Sequence, residues 1–162
     1  MDKNELNQIY IKLDKKSKEL SSPFHKIHQI FDYKVAYFSG HYNKNENGKY
    51  EMDCFPIPVI SIVNYCDIEI GLNGINITTK LKRSDALNFN YKKLEDHRFE
   101  VYGITDFLSD YYTANHTIGD LVNNIQSSQE PEIGFSFKFD EDVIAEDLYK
   151  FVLFLRNNRF FY

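Results

Sequence analysis

The chain has 162 residues, a length that fits one domain (1–162) and lets roughly 70% of the unfolded surface be buried without disulfide or metal staples. Hydrophobic residues make up 43% of the sequence and charged residues 27%, which excludes the disordered and fibrous classes. The formal net charge of −5 disfavours a general nucleic-acid binder, because contact with phosphates needs a positive footprint.

The first ten residues, MDKNELNQIY, have neither the basic region nor the apolar region of a signal peptide. No apolar run approaches the ~18 residues that a membrane span needs. Cys54 and Cys66 show neither metal-ligand spacing nor a disulfide framework. We therefore expect a cytoplasmic protein without a cofactor, a metal or a membrane partner.

Residues 3–20 are predicted to form an amphipathic helix, because apolar side chains recur at helical spacing. These are Leu6, Ile9, Tyr10, Leu13 and Leu20. Ser22 and Pro23 then predict a break, with Ser22 as the N-cap of a short second helix that runs to about Phe31. His25 and His28 lie three residues apart there and could share a helix face as metal ligands, but no third ligand completes the site, which favours a plain helix surface.

Asn47-Gly48 predicts a hairpin with a two-residue turn, which pairs Glu46 with Lys49 and Lys44 with Glu51.

The same count places His41 opposite Cys54. An imidazole beside a thiol is the smallest nucleophile and base arrangement, since the imidazole can take the thiol proton. A cysteine on an apolar strand face is more often a small buried hydrophobic residue. His41 and Cys54 are therefore weak catalytic candidates.

From Val59 to Leu72 the even positions are mostly apolar, which predicts a strand that begins after Pro58. Its length exceeds the usual ~3 to 10 residues, so we expect a bulge or bend near Asn64.

Asn73-Gly74 predicts a second hairpin, across residues 66–83, with a type I′ turn that pairs Leu72 with Ile75 and Ile70 with Ile77. One face is then apolar, and the other carries charges at Asp67, Glu69, Lys80 and Lys82. A slip of one residue would bury Asp67, Glu69 and Lys80 together, so we expect the register of this hairpin to be strongly specified.

After Arg83 the pattern is ambiguous between helix and loop over residues 84–97, with a helical turn predicted from Ser84. A strand is predicted at Phe99–Tyr102. Thr105 and Thr117 are suited to cap two short helices, the second with Asp120 as a weak capping box.

Pro131 precedes a predicted strand with Phe135, Phe137 and Phe139 on one face. Asp140 or Asp142 is expected to cap a final helix, whose apolar stripe comprises Ile144, Leu148, Phe151, Val152 and Leu155. Together these elements predict an α+β fold: a mainly antiparallel sheet, with a four-strand meander and one or two later strands, and helices packed on one face as a two-layer sandwich.

Carboxylates are concentrated near the start of this final helix, where they predict a partner-binding face for a basic protein. They are Asp140, Glu141, Asp142, Glu146 and Asp147. Favourable interaction with the helix dipole would also explain acids at this position. A small, acidic, aromatic-rich α+β protein is similar in general character to bacterial immunity proteins, which cover basic toxin nucleases. We expect a non-enzymatic, inhibitor-like or immunity-like interaction module.

Two other functions stay open. One is a small hydrolase or ligand-binding domain, with a pocket between the sheet and the helices. The other is single-stranded nucleic-acid binding through Lys80 to Arg98, where Phe89 and Tyr91 interleave with basic residues and could stack on bases. The terminal rings Phe160-Phe161-Tyr162 could enter the core, pair with another subunit or fray, and the oligomeric state is open.

Overall fold

A computed structural model describes residues 3–25, 32–37, 42–44, 46, 50–52, 57–71, 74–94, 97, 100–106, 118–139 and 143–162. Its helices are α1 (Lys3–His25), α2 (Arg83–Asn88), α3 (Ile118–Ser127) and α4 (Ala145–Asn157), with a 3₁₀ turn at Tyr91–Leu94. Its strands are β1 (Tyr33–Tyr37), β2 (Tyr42–Lys44), β3 (Tyr50–Met52), β4 (Pro58–Ile62), β5 (Cys66–Gly71), β6 (Gly74–Lys82), β7 (Glu100–Asp106) and β8 (Glu132–Phe139).

Six strands form one antiparallel sheet in the order β1-β4-β5-β6-β8-β7. Side chains from α1 and α4 join those of one sheet face in a hydrophobic cluster, so this face is the closed face. The fold is α+β, with an antiparallel sheet and helices on one face, as predicted. The opposite, open face carries Lys34, Ala36, Val59, Ser61, Asp67, Glu69, Asn76, Thr78, Lys80, Lys82, Glu132, Ser136 and Lys138.

The β5–β6 hairpin has the predicted faces but a different register. Ile70 pairs with Ile75, two positions away from the predicted partner, Ile77. A shift of two keeps every side chain on its face, because side chains alternate with a period of two. Gly71 pairs with Gly74, so the residues that connect the two strands are Leu72 and Asn73, and both lie outside the described residues. Gly74 has a φ of 137°, which glycine adopts readily.

The long strand predicted from Val59 is two strands, because the chain reverses fully at residues 63–65. Asn64 has a φ of 70°, which asparagine tolerates, and the Tyr65 N–H donates to the Ile62 carbonyl at 3.0 Å. The bend predicted near Asn64 is therefore a tight turn. A three-residue loop preserves the odd and even phase, so Ile60 pairs with Ile68 and the alternation runs through the turn unbroken.

The other hairpin forms a separate two-stranded sheet, β2–β3. Lys44 pairs with Tyr50 and Asn43 with Glu51, so the predicted pairing of Lys44 with Glu51 is wrong by one residue. A cross-strand charge pair contributes only about 0.2–1 kcal/mol, too little to fix a register against the rest of the chain.

The four-strand meander is present as β1-β4-β5-β6, but β1 pairs directly with β4, so the strands of the Asn47-Gly48 hairpin, β2 and β3, are not part of it. Val35 lies opposite Ile60 in this ladder. Consecutive hairpins predicted from local turn signals therefore do not give the order of strands in the sheet.

Helix α1 continues through Pro23, so the predicted break at Ser22 and Pro23 is wrong. Leu20 and Phe24 are one turn apart and both buried, at 2% and 0% exposure, so continuing the helix keeps them on one apolar stripe. Pro23 stands in the last turns, where it removes a single hydrogen bond, and burial of Phe24 offsets that loss.

Phenylalanine fills the core between β8 and α4. Phe135, Phe137 and Phe139 are buried on the closed face, as predicted, and the Phe137 ring meets Phe151 edge to face at 5.3 Å between centroids. The predicted stripe of α4 is buried at Leu148, Phe151, Val152 and Leu155. Ile144 is the exception, because it is the N-cap residue and 56% exposed.

The helical turn predicted from Ser84 is confirmed, because Ser84 lies in α2. A 3₁₀ turn at Tyr91–Leu94 follows α2. Thr105 is not a helix cap: it lies within β7, where it pairs with Gly134 of β8. Helix α3 begins at Ile118, next to the predicted cap Thr117, which lies outside the described residues.

The three terminal rings have different environments. Phe160 is buried at 2% exposure, so its ring belongs to the core. Phe161 pairs with Lys80 of β6 through two backbone hydrogen bonds of 2.7 and 2.9 Å, next to the beginning of β5 at Cys66. The Tyr162 N–H donates to the Asn64 carbonyl at 3.3 Å, which holds the terminus against the β4–β5 turn.

Candidate interaction surface

A groove of about 440 Å³ lies between α1 and the beginning of α4, and we call it the α1–α4 groove. Leu20 contributes a buried apolar side chain, whereas Ile144 is 56% exposed. The complete lining is Lys12, Lys15, Lys16, Glu19, Leu20, Val143, Ile144 and Ala145. The groove therefore combines apolar side chains with a charged wall.

The charged wall comes from one side of α1. Lys12, Lys16 and Glu19 are spaced four and three residues apart, so they lie on one helix face. Lys15 Nζ lies 3.9 Å from Glu19 Oε1 across the same face. The sequence interpretation missed this wall, although its spacing could have revealed it. The partner wall at Val143 to Ala145 depends on how α4 packs.

The beginning of α4 explains the exposure of Ile144. Ile144 is the N-cap in an extended conformation, with φ −93° and ψ 155°, and makes no side-chain capping bond. Asp140 or Asp142 was the predicted cap, and that prediction is wrong, since the first turn starts at Ala145. Neither aspartate is within the described residues.

The acids of the first turn of α4 are placed as expected. Glu146 and Asp147 lie where the positive end of the helix dipole favours carboxylates. Lys150 Nζ donates to Glu146 Oε1 at 2.9 Å, and this bond raises the pKa of Lys150. Glu146 is exposed and Asp147 half-buried.

Only part of the predicted partner-binding set can be placed. Glu146 and Asp147 directly follow the groove residue Ala145, whereas Asp140, Glu141 and Asp142 lie outside the described residues. The surface around the groove thus has mixed charge, because three lysines line the same groove that these acids border.

The charged side of the central hairpin lies on the open face. Asp67 and Glu69 are half-buried and Lys82 is exposed. Lys80 Nζ lies 3.7 Å from Glu132 Oε2 and 5.7 Å from the centre of the Tyr162 ring. These charges are partly matched within the protein.

In the basic stretch from Lys80 to Arg98, the Tyr91 ring is buried and the Phe89 ring is half-buried. Tyr91 is 7% exposed, and its hydroxyl donates to the Ala86 carbonyl at 2.7 Å. The Phe89 ring packs edge to face on Tyr91 at 5.0 Å and on Phe160 at 5.5 Å. Stacking on bases would require Tyr91 to leave the core and would disturb the packing of Phe89 on Tyr91 and Phe160.

The basic side chains of this stretch also have local roles. Arg83 Nε donates to the Ser128 carbonyl at 2.7 Å, and Lys93 Nζ donates to Asn158 Oδ1 at 3.3 Å. Lys92 is exposed, and Arg98 lies outside the described residues.

The catalytic candidates His41 and Cys54 lie outside the described residues. The register count that made them neighbours does not hold in the β2–β3 ladder, where it is off by one residue. Cys66 is fully buried, and burial, with Asp67 nearby, raises the pKa of its thiol. Such a thiol is protonated and unreactive near neutral pH.

The paired histidines give no described site. His25 is the last residue of α1 and His28 lies outside the described residues. Across the described ranges, no group of three or more His, Cys, Asp or Glu side chains is placed to hold a metal ion. Within the same ranges, no helix combines the length and apolar character that crossing a membrane requires.

No protein-family model matches the chain, and no curated protein matches it in sequence. Among solved structures, the chain is similar to a conserved hypothetical protein from Pyrococcus furiosus, with a TM-score of 0.62 and 18% identity. The match covers 96% of this chain and 97% of the other. At this identity the similarity shows a shared fold alone.

Proposed function

We propose that the protein is a non-enzymatic, inhibitor-like or immunity-like interaction module that binds a protein partner at the α1–α4 groove and the adjacent acids of α4. The observation that carries this proposal is Ile144, a large aliphatic side chain that is 56% exposed at the mouth of a groove. Leaving such a side chain in water forfeits about 1.5–3 kcal/mol of burial free energy, which a partner would recover.

The groove has the composition of an interface centre with a polar rim. Leu20, Val143 and Ile144 are apolar, and the lysines of α1 can lay their aliphatic stems along them while the ammonium groups stay hydrated. Protein interfaces commonly place apolar anchors in the middle and charges at the edge. An aliphatic or aromatic anchor residue of the partner would fill the groove.

The acids of α4 indicate the charge of the partner. Glu146 and Asp147 follow the groove residue Ala145 in the chain. Asp140, Glu141 and Asp142 come directly before the groove residue Val143 in the sequence. Basic side chains next to the anchor would meet these carboxylates and compete with Lys150 for Glu146. Association driven by exposed charges is faster at low salt and weakens as salt rises.

The two alternative functions have less support in the described residues. The described thiol, Cys66, is buried, so a hydrolase would have to use His41 and Cys54. Both of these lie outside the described residues. A single-strand binder would need Phe89 and Tyr91, which pack on Ala86 and Phe160.

The proposal is tested by capturing partners on immobilised protein from lysate of the source cells, at low and at high salt. Ile144→Asp should abolish capture of the specific partner by placing a charge in the groove. Glu146→Lys combined with Asp147→Lys should weaken it at least tenfold, because both attractive charges become repulsive. Leu87→Asp is the matched control, since Leu87 is a 42% exposed aliphatic residue on α2.

Capture that both groove variants lose and Leu87→Asp retains supports the proposal. Capture that all three variants retain contradicts the groove as the site. A chain that captures no protein at either salt contradicts the interaction function.

A further inference from the structure

Strand β1 is an exposed sheet edge. It stands at the end of the sheet order and has one neighbouring strand, β4, within the part of the chain that the structure describes. Asp32, Lys34, Val35 and Ala36 are all exposed. An uncovered edge strand is a template for pairing with another strand.

One hydrogen bond shows which residues of β1 direct their backbone N–H and C=O groups away from β4, toward the open edge. The Val63 N–H donates to the Asp32 carbonyl at 2.9 Å. Since Tyr33 lies opposite Ile62, this bond makes Tyr33 and Ile62 a non-hydrogen-bonded pair. Alternation then directs the backbone N–H and C=O groups of Lys34 and Ala36 toward β4, and those of Val35 away from it.

Val35 also exposes its side chain where the helices do not reach. It lies opposite Ile60, so it points to the closed face, yet it is 40% exposed while Ile60 is fully buried. Helix α1 packs on β4 and β5. Val35 therefore presents both an outward backbone and an uncovered apolar side chain.

We propose that β1 pairs with β1 of a second copy of this chain, antiparallel across a two-fold axis, with Val35 opposite Val35. Three registers, centred on Lys34, Val35 or Ala36, keep closed face with closed face. Centring on Lys34 would set two ammonium groups opposite each other in a non-hydrogen-bonded pair, where side chains are closest. Centring on Val35 sets Lys34 opposite Ala36, brings the two exposed valines together and pairs all five residues of β1.

The composition of β1 argues for a second copy as the occupant. Lys34 is its single charged residue, and the Val35-centred register avoids its like-charge contact, so the strand is complementary to itself under a two-fold axis.

Five residues on each side bury less than the ~800 Å² per partner of a standard interface, so the dimer is weak. Each copy carries a net charge of −5, so added salt strengthens the dimer by screening repulsion. Partner binding at the α1–α4 groove should weaken with salt, which separates the two contacts.

Sedimentation equilibrium of the full chain from about 10 µM to about 1 mM tests the proposal across the range where a weak dimer forms. The wild type should approach the dimer mass at the upper end, and more so at high salt. Val35→Pro removes an N–H that points away from β4, so it should stay monomeric throughout. Val35→Thr keeps the N–H and the branched shape, so it should dimerise within about threefold of wild type. A wild type that is monomeric throughout, or a Val35→Pro variant that dimerises like wild type, overturns the proposal.

Cross-linking gives a test that does not depend on a proline. In a Cys54→Ser background, Val35→Cys should form a disulfide dimer with oxidised glutathione, because the Cα atoms of a hydrogen-bonded pair lie about 5.5 Å apart, within disulfide range. Leu87→Cys controls for random collision of exposed thiols, since Leu87 is 42% exposed. A Val35→Cys rate at least tenfold above the Leu87→Cys rate supports the proposal, and equal rates overturn it.

Discussion

The two faces of the six-stranded sheet are built from alternate residues of the same strands, yet they have different roles. On the closed face, Ile68, Ile77 and Phe137 are fully buried under the helices. On the open face, Thr78 is half-buried and Lys138 is exposed. Neighbours in sequence can therefore differ widely in what they contribute to stability.

The difference indicates at which positions this protein tolerates substitutions without loss of stability. The closed face is committed to packing, so substitutions there reduce the free energy of unfolding. The exposed side chains of the open face, the β1 edge and the α1–α4 groove carry little of that free energy, and contacts with other molecules can be made there. Two open-face residues, Val59 and Ser136, are buried at 5% and 7% exposure and mark the limit of this contrast.

The largest expected contrast is between Phe137 and Lys138. Phe137→Ala should lower the free energy of unfolding by about 3–5 kcal/mol, because it removes a ring packed against Phe135 and Phe151. Lys138→Ala should lower it by no more than about 1 kcal/mol, because water screens the interactions of an exposed charge. Urea unfolding monitored by circular dichroism measures both, and equal losses would break the comparison of the two faces.

The adjacent threonines of β6 should differ by a smaller amount. The Thr79 hydroxyl is fully buried and lies 2.6 Å from the Tyr65 carbonyl and 3.2 Å from the Phe161 carbonyl. Thr79→Val keeps the shape but leaves those carbonyls without this donor, which should cost about 1–3 kcal/mol. Thr78→Val, on the open face, is the control and should cost less than about 0.5 kcal/mol in the same unfolding experiment.

Alkaline pH should lower the free energy of unfolding, because the buried Tyr91 hydroxyl and Cys66 thiol do not ionise readily in the folded chain. Burial raises the pKa of Tyr91 and of the Cys66 thiol, so both stay protonated in the folded chain while they ionise in the unfolded chain. The free energy of unfolding should therefore fall as pH rises above about 8.5 for Cys66 and above about 10 for Tyr91.

Tyr91→Phe separates the two groups. It removes the hydroxyl bond to Ala86, at a cost of about 1 kcal/mol near neutral pH. It should also reduce the slope above pH 10 by up to about 1.4 kcal/mol per pH unit. An unchanged slope in unfolding curves taken from pH 8 to about pH 11 would contradict the assignment.

The smallest effect is expected for the ion pair on the open face. Lys80 and Glu132 are 3.7 Å apart, with side chains 24% and 38% exposed, so water screens their attraction. Glu132→Gln should lower the free energy of unfolding by about 0–1 kcal/mol, with a difference that shrinks in high salt. A loss as large as that of Thr79→Val would show that this part of the open face is a stabilising element.

Local pattern predicted the fold class and the faces well, for identifiable reasons. The β5–β6 hairpin and β8 alternate apolar and polar residues so strictly that any register shift of one would bury Asp67 and Glu69. The stripe of α4 from Leu148 to Leu155 follows helical spacing through the whole helix. These patterns depend only on backbone periodicity.

The candidate surface was only partly predictable. Glu146 and Asp147 lie in the first turn of α4, next to the groove residue Ala145, and their role in partner binding stays a prediction. The groove itself joins residues near position 16 with residues near position 144, and no local pattern reports such a contact. The exposure of Ile144 was also missed, because apolar spacing alone does not show where a helix begins.

The sequence by itself determined which side chains of each strand share a face and which stripe of α4 is buried, since both follow from a fixed number of residues per repeat. Tertiary structure decided the β5–β6 register, the pairing of β1 with β4, the continuation of α1 through Pro23, and the docking of Phe160 and Phe161. The physical reason is that the local alternation of apolar and polar residues stays the same in several structures. It is unchanged by a register shift of two residues, by a three-residue turn or by pairing with a distant strand. Only the packing of the whole core distinguishes these structures.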